Sequence, residues 1–565
     1  MKERINILIS GIGGQGIRTI ANLLSKTFLQ SGYYIYSTFN KTTRIIGGIN
    51  SVKISIGIKE INYSEESIDI LISLSNKILD RDRDLVVEGG LLILDGDKKF
   101  EDGVLTLPLE KLAKGSGSRQ FINTVLLGAI MGIFKLDITS INNSFLREFA
   151  KKGVEVYNEN LKAAQIGYKQ TIDEGYLEYL EPALIENNLL ITGSDSIVYA
   201  IVGSGCQTLF ANPIPVARRF LDLMNEFSEE FPIICDASES DASAIFKGLG
   251  ASYTGVKSMV VVSDSGFLHL CDGLAYSGMS EIPIVVTVIQ SPGPSIGMPT
   301  KTEQNNLLSS IFSGNGEFAR VIYAPGTHQE CFSLTYKAFE ISSNYNIPVI
   351  ILLEQILAET VKNLPMFNLD DIRRPRDHFT RKQLTEVKEY KTYKVTNTGI
   401  SPRLFPGQTD LPVKVNTFEH NDDGYISADA EIRIKQVNKR ALKEESIMNE
   451  FIPPEFYGVE KFDILFVGWG ASKNVIKRVV DLLRSEKKKV GALLFTQMYP
   501  INPKKIKKYF RRTKFIVNVE NNSSAQFAKL LKMIGGIEFN LNILRYDGLP
   551  LTPEYILRKF KDAKK

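Results

Sequence analysis

The sequence predicts an α/β fold made of three doubly wound domains, and three observations carry this prediction. Two apolar runs, Ile5–Ser10 and Phe462–Val467, each lead into a glycine-rich turn and then into a helical pattern. A third run, Ile284–Ile289, ends in a loop rich in Gly, Pro, Ser and Thr. Strand, turn and helix in this order form the repeating unit of parallel sheets. The chain of 565 residues is also too long for a single core.

The first domain is predicted to span residues 1–175. Its glycine turn, Gly11–Gly16, precedes a helical pattern that continues to Leu29, so the backbone N–H groups of the turn can cradle a phosphate. The second strand, near Tyr34–Phe39, is followed by Asn40 and lacks the acid that holds a nicotinamide ribose. An NAD-dependent enzyme therefore stays open only as a third alternative.

The second domain, residues 189–365, follows an acidic and polar linker around Pro182. Its apolar runs alternate with helical patterns, which predicts a parallel sheet with right-handed crossovers. The predicted strands are Ile233–Cys235, Met259–Ser263, Ile284–Ile289, Val321–Ala324 and Pro348–Leu353. A polar interdomain segment, residues 366–456, leads to the third domain, residues 457–565, in which a helix is predicted over Ser472–Ser485.

Composition and charge exclude several classes of protein. With 43% hydrophobic residues, 23% charged residues and a net charge of +4, the chain is typical of a folded protein that binds no nucleic acid. It has no signal-peptide layout and no apolar run of about 20 residues, so we expect a cytoplasmic protein with no membrane contact. The basic run Lys504–Lys514 is predicted to be the solvated face of a helix, and a docking site for an acidic partner is the alternative.

The four cysteines predict no metal site in this chain. They lie far apart and form no CxxC pair, which argues against zinc or an iron–sulfur cluster. We expect buried thiols at Cys206, Cys235, Cys271 and Cys331. Any cluster that carries electrons must then belong to another subunit.

Several motifs together resemble one enzyme family. They are the turn from Gly11, Gly47–Asn50, Gly250–Tyr253, the loop after Ile289, and Thr552-Pro553 near the end. This pattern is similar to the α subunit of 2-oxoacid:ferredoxin oxidoreductases in its fused γα form, which is found in archaea. The resemblance implies a γ-like domain, a pyrimidine-binding domain for thiamine diphosphate and a transketolase C-terminal-like domain, in this order.

The resemblance also implies a reaction and its partners. Members of the family oxidatively decarboxylate 2-oxo acids, such as pyruvate or 2-oxoglutarate, to acyl-CoA and reduce ferredoxin. The chain lacks a Gly-Asp-Gly followed about 25–30 residues later by Asn-Asn, the pattern that binds the cofactor's diphosphate and Mg²⁺. We therefore expect a heterodimer in which a β subunit supplies Mg²⁺ and the iron–sulfur cluster, and thiamine diphosphate is shared between the subunits.

The resemblance implies that Asp241 is the catalytic and cofactor-binding acid. The spacing from Gly250–Tyr253 puts it where the family has a glutamate that hydrogen-bonds the pyrimidine N1′. Aspartate is shorter by about 1.5 Å, one C–C bond, so it reaches the ring only if its helix moves inward. Glu239 is interpreted as a charge at the helix N-terminus. Gly266 and Phe267 match the family's cofactor-binding loop, although an ordinary turn would have the same sequence.

The substrate-binding residues implied by the resemblance are altered. Pro213, Ile214 and Pro215 align with a family loop whose threonine, here Pro215, helps to hold the 2-oxo acid. Ser291 replaces an arginine that pairs with the substrate carboxylate, and a serine cannot form such a bidentate pair. Two further substrate-binding positions are implied. Thr300 matches the family's residue, and Thr43 stands where the family has a serine.

These changes leave two functions open. The altered residues cluster at the implied site, whereas the glycine-rich framework around it keeps the family pattern. In the first of the two functions, the chain is an enzyme subunit whose pocket was rebuilt for a different substrate. In the second, it is a catalytically impaired paralogue that acts as a structural or regulatory subunit.

Overall fold

Two compact units make up the part of the chain that the structure describes. The computed structural model describes residues 3–41, 48–74, 76–142, 145, 153–173, 181–182, 185, 188–368 and 379–563. The first unit consists of Met1–Thr192 and Glu359–Met366, and the second of Gly193–Ala358 and Phe367–Lys565. None of the described helices has the length and apolar character needed to span a membrane.

The strands of the described residues form three sheets. In chain order they are β1 Arg4–Ile12, β2 Tyr34–Lys41, β3 Ile49–Gly57, β4 Ile68–Ser73, β5 Val86–Asp95, β6 Lys99–Glu101, β7 Val104–Leu107, β8 Asn188–Thr192, β9 Thr208–Ala211, β10 Ile234–Ala237, β11 Ser258–Ser263, β12 Ile284–Gln290, β13 Val321–Tyr323, β14 Pro348–Glu354, β15 Val361–Pro365, β16 Glu455–Gly458, β17 Ile464–Trp469, β18 Val490–Phe495, β19 Gln497–Tyr499, β20 Phe515–Glu520 and β21 Leu541–Leu544.

Helices connect most of these strands, so the predicted α/β class is confirmed. In chain order they are Ile17–Gln30, Asn76–Asp82, Leu109–Gly115, Ile122–Ile133, Val154–Lys169, Gly193–Gly203, Pro215–Phe227, Asp241–Tyr253, Asp264–Phe267, Cys271–Ser280, Leu307–Phe312, His328–Tyr345, Gln355–Glu359, Arg381–Glu386, Ala430–Met448, Ser472–Ser485, Pro503–Phe510, Gln526–Gly535 and Pro553–Asp562.

The first unit contains a nine-stranded mixed sheet with the order β6-β7-β5-β4-β1-β3-β2-β15-β8. Its middle, β7 to β1, is parallel, and β1 is followed by the predicted glycine turn and the helix Ile17–Gln30. In contrast, β3 is antiparallel to both β1 and β2. Because β2 and β3 follow each other closely in the chain, no crossover is available to make them parallel.

Two strands from the predicted second domain complete this first sheet. β8 and β15 are antiparallel to each other, and β15 also pairs with β2. Asn363 reinforces the contact, because its Oδ1 accepts a hydrogen bond from the Ile35 N–H at 2.7 Å. The first unit therefore includes short pieces at both ends of residues 189–365. Local sequence patterns do not encode such long-range pairing.

The second unit contains a seven-stranded sheet with the order β10-β9-β11-β12-β14-β13-β19. All neighbours from β10 to β13 are parallel, as predicted, and β19 is antiparallel at the edge. The three strands β11, β12 and β14 are buried along their whole length, which is typical of the centre of a parallel sheet. The carboxyl ends of these strands open onto the loops described below.

The third sheet, also in the second unit, has the order β16-β18-β17-β20-β21. β18, β17, β20 and β21 are parallel, and β16 is antiparallel to β18. The helix predicted after the first strand of this domain occupies Ser472–Ser485. Within the basic run, Pro503–Phe510 is a helix with Ile506 buried and its lysines exposed, as expected for a solvated face.

The cysteines of the second unit are free thiols. Cys206 and Cys331 are buried, whereas Cys235 and Cys271 are only partly buried. Burial raises the pKa of the Cys206 thiol to about 12, so this sulfur stays protonated and unreactive at neutral pH. The expectation of buried thiols holds fully for two of the four residues.

Candidate active site

Asp241 lies at the carboxyl edge of the second sheet, at the start of the helix Asp241–Tyr253. Ser240 caps this helix, because its hydroxyl accepts a hydrogen bond from the Ser243 N–H at 3.1 Å. The cap fixes the first turn and turns the Asp241 side chain away from solvent, leaving the residue 7% exposed. The acid that the sequence singles out is therefore buried at the start of a capped helix. Glu239, by contrast, is exposed and pairs with Lys247 at 3.0 Å.

The Asp241 carboxylate packs against Gly266. A Cβ placed on Gly266 would lie 2.7 Å from Oδ2 and 3.0 Å from Oδ1 of Asp241. Such distances leave no room for a side chain, so the glycine is required by this contact. On its open side, the same carboxylate faces the His269 imidazole, with 3.7 Å between Nδ1 and Oδ2.

Asp241 keeps one oxygen without a partner. Its Oδ1 is buried and makes no hydrogen bond, an uncommon state for a buried polar atom. Burial raises the pKa of Asp241, and the neighbouring His269 and Asn212 side chains oppose that rise. A buried carboxyl group with a free oxygen and a raised pKa is suited to hold a proton or to receive a donor from a ligand.

Gly266 and Phe267 lie together in the short helix Asp264–Phe267, directly after β11. Ser263 caps this helix by accepting a hydrogen bond from the Gly266 N–H at 3.2 Å. Phe267 is fully buried in the hydrophobic core between the second and third sheets. The structure thus brings Gly266 to Asp241 and makes Phe267 the apolar support beneath the turn.

Ser291 ends up beside a second carboxylate. It follows β12, and its hydroxyl donates a buried hydrogen bond of 2.9 Å to Oδ1 of Asp264. The Asn306 side chain also donates to the Asp264 carbonyl oxygen at 3.4 Å. Burial, followed by the charge of Asp264, raises the pKa of Glu303 to about 7. At the position where the resemblance implies an arginine, this chain therefore has a serine whose hydroxyl is engaged with an acid.

The other predicted substrate-binding residues lie on two loops. Pro213 and Pro215 are exposed and Ile214 is half-buried, with Pro215 as the first residue of the helix Pro215–Phe227. Proline is well suited to that position because its missing N–H has no partner there. Thr300 is partly exposed in the loop after β12. Thr43 lies outside the described residues.

The structure brings to the candidate site three residues that the sequence did not single out. His269 and Asp264 flank the predicted Gly266-Phe267 pair, and Glu303 lies three residues after Thr300. One available signal was the rarity of histidine, since the chain has only four. A histidine three residues from a predicted cofactor loop was therefore worth attention.

The far end of the loop after β12 is anchored to the third sheet by Gln304. Its side chain donates to the Trp469 carbonyl oxygen at 2.9 Å and to Glu354 Oε1 at 3.0 Å, and it accepts from the Asn521 N–H at 2.8 Å. Glu354 also accepts from the Ala471 N–H at 2.6 Å. All these groups are buried or nearly so, and together they fix the position of the loop that carries Ser291 and Thr300.

We expect Glu354 to make stability depend on pH. Burial raises its pKa from 4.5 to about 7, although the Ala471 N–H and the Gln304 amide partly oppose this. Because the folded state holds the proton longer than the unfolded chain, stability falls as pH rises from 4.5 to 7, by about 3 kcal/mol. Urea unfolding should show this slope in wild type, and Glu354→Gln should remove the share of Glu354 and leave that of Glu303, whose pKa is also raised to about 7. The exposed Glu317→Gln variant should keep the whole slope, and a wild type with no slope would contradict the assignment.

Two neighbouring loops expose large apolar side chains. Ile296 is 63% exposed and Tyr546 is 64% exposed. The loops are joined, because the Thr302 N–H donates to the Gly548 carbonyl oxygen at 3.3 Å. Met298 and Leu549 add further exposed apolar area. Such a concentration of exposed apolar residues is typical of a protein-interaction surface.

Three family models match this chain. The model described as pyruvate ferredoxin/flavodoxin oxidoreductase matches residues 6–170. A thiamine diphosphate-binding model of pyruvate flavodoxin/ferredoxin oxidoreductase matches residues 200–439. The model of pyruvate:ferredoxin oxidoreductase core domain II matches residues 462–540. Together the three cover most of the chain, in the order that the motifs predict.

Individual relatives agree with the family models. The chain is 27% identical to the 2-oxoacid:ferredoxin oxidoreductase subunit alpha of Sulfolobus sp, over 100% of this chain and 98% of the relative. It is also 27% identical to subunit alpha of 2-oxoacid:ferredoxin oxidoreductase 1 from Sulfurisphaera tokodaii, over 100% and 99%. A solved 2-oxoglutarate:ferredoxin oxidoreductase from Magnetococcus marinus has the same fold, with a TM-score of 0.91, 24% identity and full coverage of both chains. That structure contains 2-oxoglutarate, coenzyme A and succinyl-CoA.

Proposed function

The chain belongs to the 2-oxoacid:ferredoxin oxidoreductase family, and from this premise we propose that it is the fused γα subunit of such an enzyme. The proposed reaction is the CoA-dependent oxidative decarboxylation of a 2-oxo acid to acyl-CoA, with electrons passed to ferredoxin. The chain is active only with a β subunit, in the cytoplasm. The observation that carries this proposal is the buried Asp241 carboxyl group, which keeps a free oxygen at the edge of the sheet.

The residues around Asp241 fit the pyrimidine ring of thiamine diphosphate. The partnerless Oδ1 is available for the ring N1′, and the raised pKa allows Asp241 to hold or release a proton there. Gly266 leaves room for the carboxylate, and Phe267 supports the turn from below. When bound, the cofactor supplies the electron sink that decarboxylation requires. In this proposal Asp241 and its neighbours orient the ring, and the diphosphate, Mg²⁺ and iron–sulfur cluster belong to the β subunit.

The exposed apolar loops support a partner subunit at this edge. Ile296, Met298 and Tyr546 are large and exposed, and they belong to the loops that lead to or contact the candidate site. A subunit that covers these loops also covers the segment that carries Ser291 and Thr300, which excludes water from the chemistry. The proposal therefore places the shared cofactor between this surface and the β subunit.

A second function, that of a catalytically impaired structural or regulatory paralogue, is favoured by Ser291. Its hydroxyl is occupied by Asp264 at 2.9 Å, and Glu303 adds another acid nearby. An acidic cluster repels a substrate carboxylate, whereas the family arginine attracts it. A chain with this cluster binds an ordinary 2-oxo acid weakly unless another residue supplies the missing cation.

Reconstitution with the β subunit encoded beside this chain separates the two functions. The enzyme proposal predicts CoA-dependent reduction of ferredoxin by at least one 2-oxo acid. Ser291→Arg should lower the KM for pyruvate about tenfold or more, because a charge-assisted hydrogen bond is worth roughly 1.5–3 kcal/mol. Ser265→Arg, a cation placed in the neighbouring short helix Asp264–Phe267, is the matched control. No cluster reduction with any oxo acid, in a complex that contains thiamine diphosphate, would favour the impaired paralogue.

A further inference from the structure

His269 is the polar residue that covers the open side of Asp241. It lies in the single turn Leu268–Leu270, which follows the short helix of Gly266 directly. Its side chain is 69% exposed, whereas the Asp241 side chain is 10% exposed, and 3.7 Å separates Nδ1 of His269 from Oδ2 of Asp241. One ring nitrogen therefore faces a buried carboxyl group and the rest of the ring faces outward.

The other neighbours of Asp241 cannot exchange a proton with it. Gly266 contributes only backbone and Asn212 contributes an amide, which does not titrate. Among the described residues, the titratable side chain that faces Asp241 is His269, with 3.7 Å between Nδ1 and Oδ2. Any proton that Asp241 gains or loses on this side therefore passes next to the imidazole.

We infer that His269 is a positioning residue for Asp241, which orients the carboxyl group and connects it to the outside of the site. This inference rests on the proposed function, because it assigns His269 to the same cofactor-activating acid. It also offers an answer to the shortened side chain. Aspartate is shorter than glutamate by one methylene. In this inference the imidazole orients the carboxyl group of the shorter acid, a task that length alone performs for glutamate.

One proton leaves Asp241 for water through the imidazole. When the two groups close the 3.7 Å between them, the proton on Oδ2 of Asp241 passes to Nδ1 of a neutral imidazole while Nε2 releases its own proton to water. Once Asp241 is ionised, the imidazole carries its proton on Nδ1, on the side that faces Oδ2. The tautomer of His269 thus reports directly whether its imidazole is paired with Asp241, since the partner of one ring nitrogen decides which nitrogen is protonated.

Nitrogen NMR of the full chain, labelled at histidine, tests the pairing without cofactor or partner. At pH 8, His269 should carry its proton mainly on Nδ1 in wild type, and this fraction should fall at least twofold in Asp241→Asn. The spectrum contains four histidines at most, and His269→Gln assigns the signal. Asp272→Asn removes an exposed acid three residues away and should leave the tautomer unchanged. An unchanged tautomer in Asp241→Asn overturns the inference.

The reconstituted complex then tests the consequence. His269→Gln should lower kcat about a hundredfold with little change in KM, since general acid–base assistance contributes about 10²–10⁴. Added imidazole should restore part of the rate. A variant that keeps the wild-type kcat and pH profile overturns the inference even if the tautomer shift is found. If the wild-type complex has no activity at all, the proposed function fails, while the tautomer comparison still decides the pairing.

Discussion

Gly266→Ala should abolish most of the activity of the reconstituted complex without unfolding the chain. The added Cβ would lie 2.7 Å from Oδ2 and 2.8 Å from Cγ of Asp241. Both contacts are too short, so the carboxyl group must move. A displacement of about 1 Å at a reacting group can cost about a hundredfold in rate. We therefore expect kcat to fall about a hundredfold, measured as ferredoxin reduction.

The control for this prediction lies in the same helix as Asp241. Gly250 has no atom within 4 Å of the position its Cβ would occupy. Gly250→Ala should keep full activity and stabilise the helix by up to about 1 kcal/mol, because alanine is the better helix former. Equal kcat values for Gly266→Ala and Gly250→Ala would show that the position of the Asp241 carboxylate does not depend on Gly266.

A double-mutant cycle tests the same contact without any partner or cofactor. In the Asp241→Ala background the clash is absent, so Gly266→Ala should cost less stability than it does in wild type. The difference between the two costs is the coupling energy of the pair. A coupling near zero contradicts the packing of Asp241 on Gly266, whatever the activity measurements give.

The sequence predicted the parts of this site that depend on local pattern. The buried strands β11, β12 and β14 were found within one or two residues because they are continuous apolar runs between turns. The start of a helix at Asp241 is what the resemblance implies, read back from Gly250–Tyr253. The strand signal is short-range and is decided by burial and by backbone conformation rather than by distant contacts.

The remaining parts depend on long-range contacts that no local pattern shows. β8 and β15 carry ordinary apolar residues, and only their pairing with each other and with β2 assigns them to the first sheet. β9 has only four residues, too few for a reliable periodicity. The contact between His269 and Asp241 depends on the turn after β11. The sequence predicts a loop there, but it does not predict which way the loop runs.

Glu281→Gln should strongly destabilise the chain, although Glu281 lies outside the candidate site. Glu281 lies in the turn just before β12 and pairs with Lys439 at 2.5 Å and Lys443 at 2.6 Å, with all three side chains buried. Burial would raise the pKa of Glu281, but the two ammonium groups outweigh it and bring the pKa to about 2. Removing the charge leaves two buried cations without a counter-ion, which costs about 3–5 kcal/mol.

The prediction has a characteristic pH dependence. Since the folded pKa of Glu281 lies below its unfolded value of 4.5, its contribution is complete above pH 4.5 and is lost as pH falls towards 2, by about 3 kcal/mol. Urea unfolding of wild type should show this loss, and the loss should be smaller in Glu281→Gln, in which Glu419, whose pKa is also lowered to about 2, still contributes. Glu445→Gln, an exposed change on the helix that carries both lysines, should shift stability by less than about 0.5 kcal/mol.

The triple variant Glu281→Gln, Lys439→Met, Lys443→Met separates charge from shape. Replacing a whole buried ion cluster by apolar side chains of similar size is often neutral, so most of the lost stability should return. If it does not, the lysine stems and their packing hold the helix Ala430–Met448 in place, and the charges contribute little. Because Glu281 precedes β12 and Ser291 follows it, this experiment also asks whether the ion cluster positions the strand that carries the altered substrate residue. A triple variant that is stable but has an altered KM would show that it does.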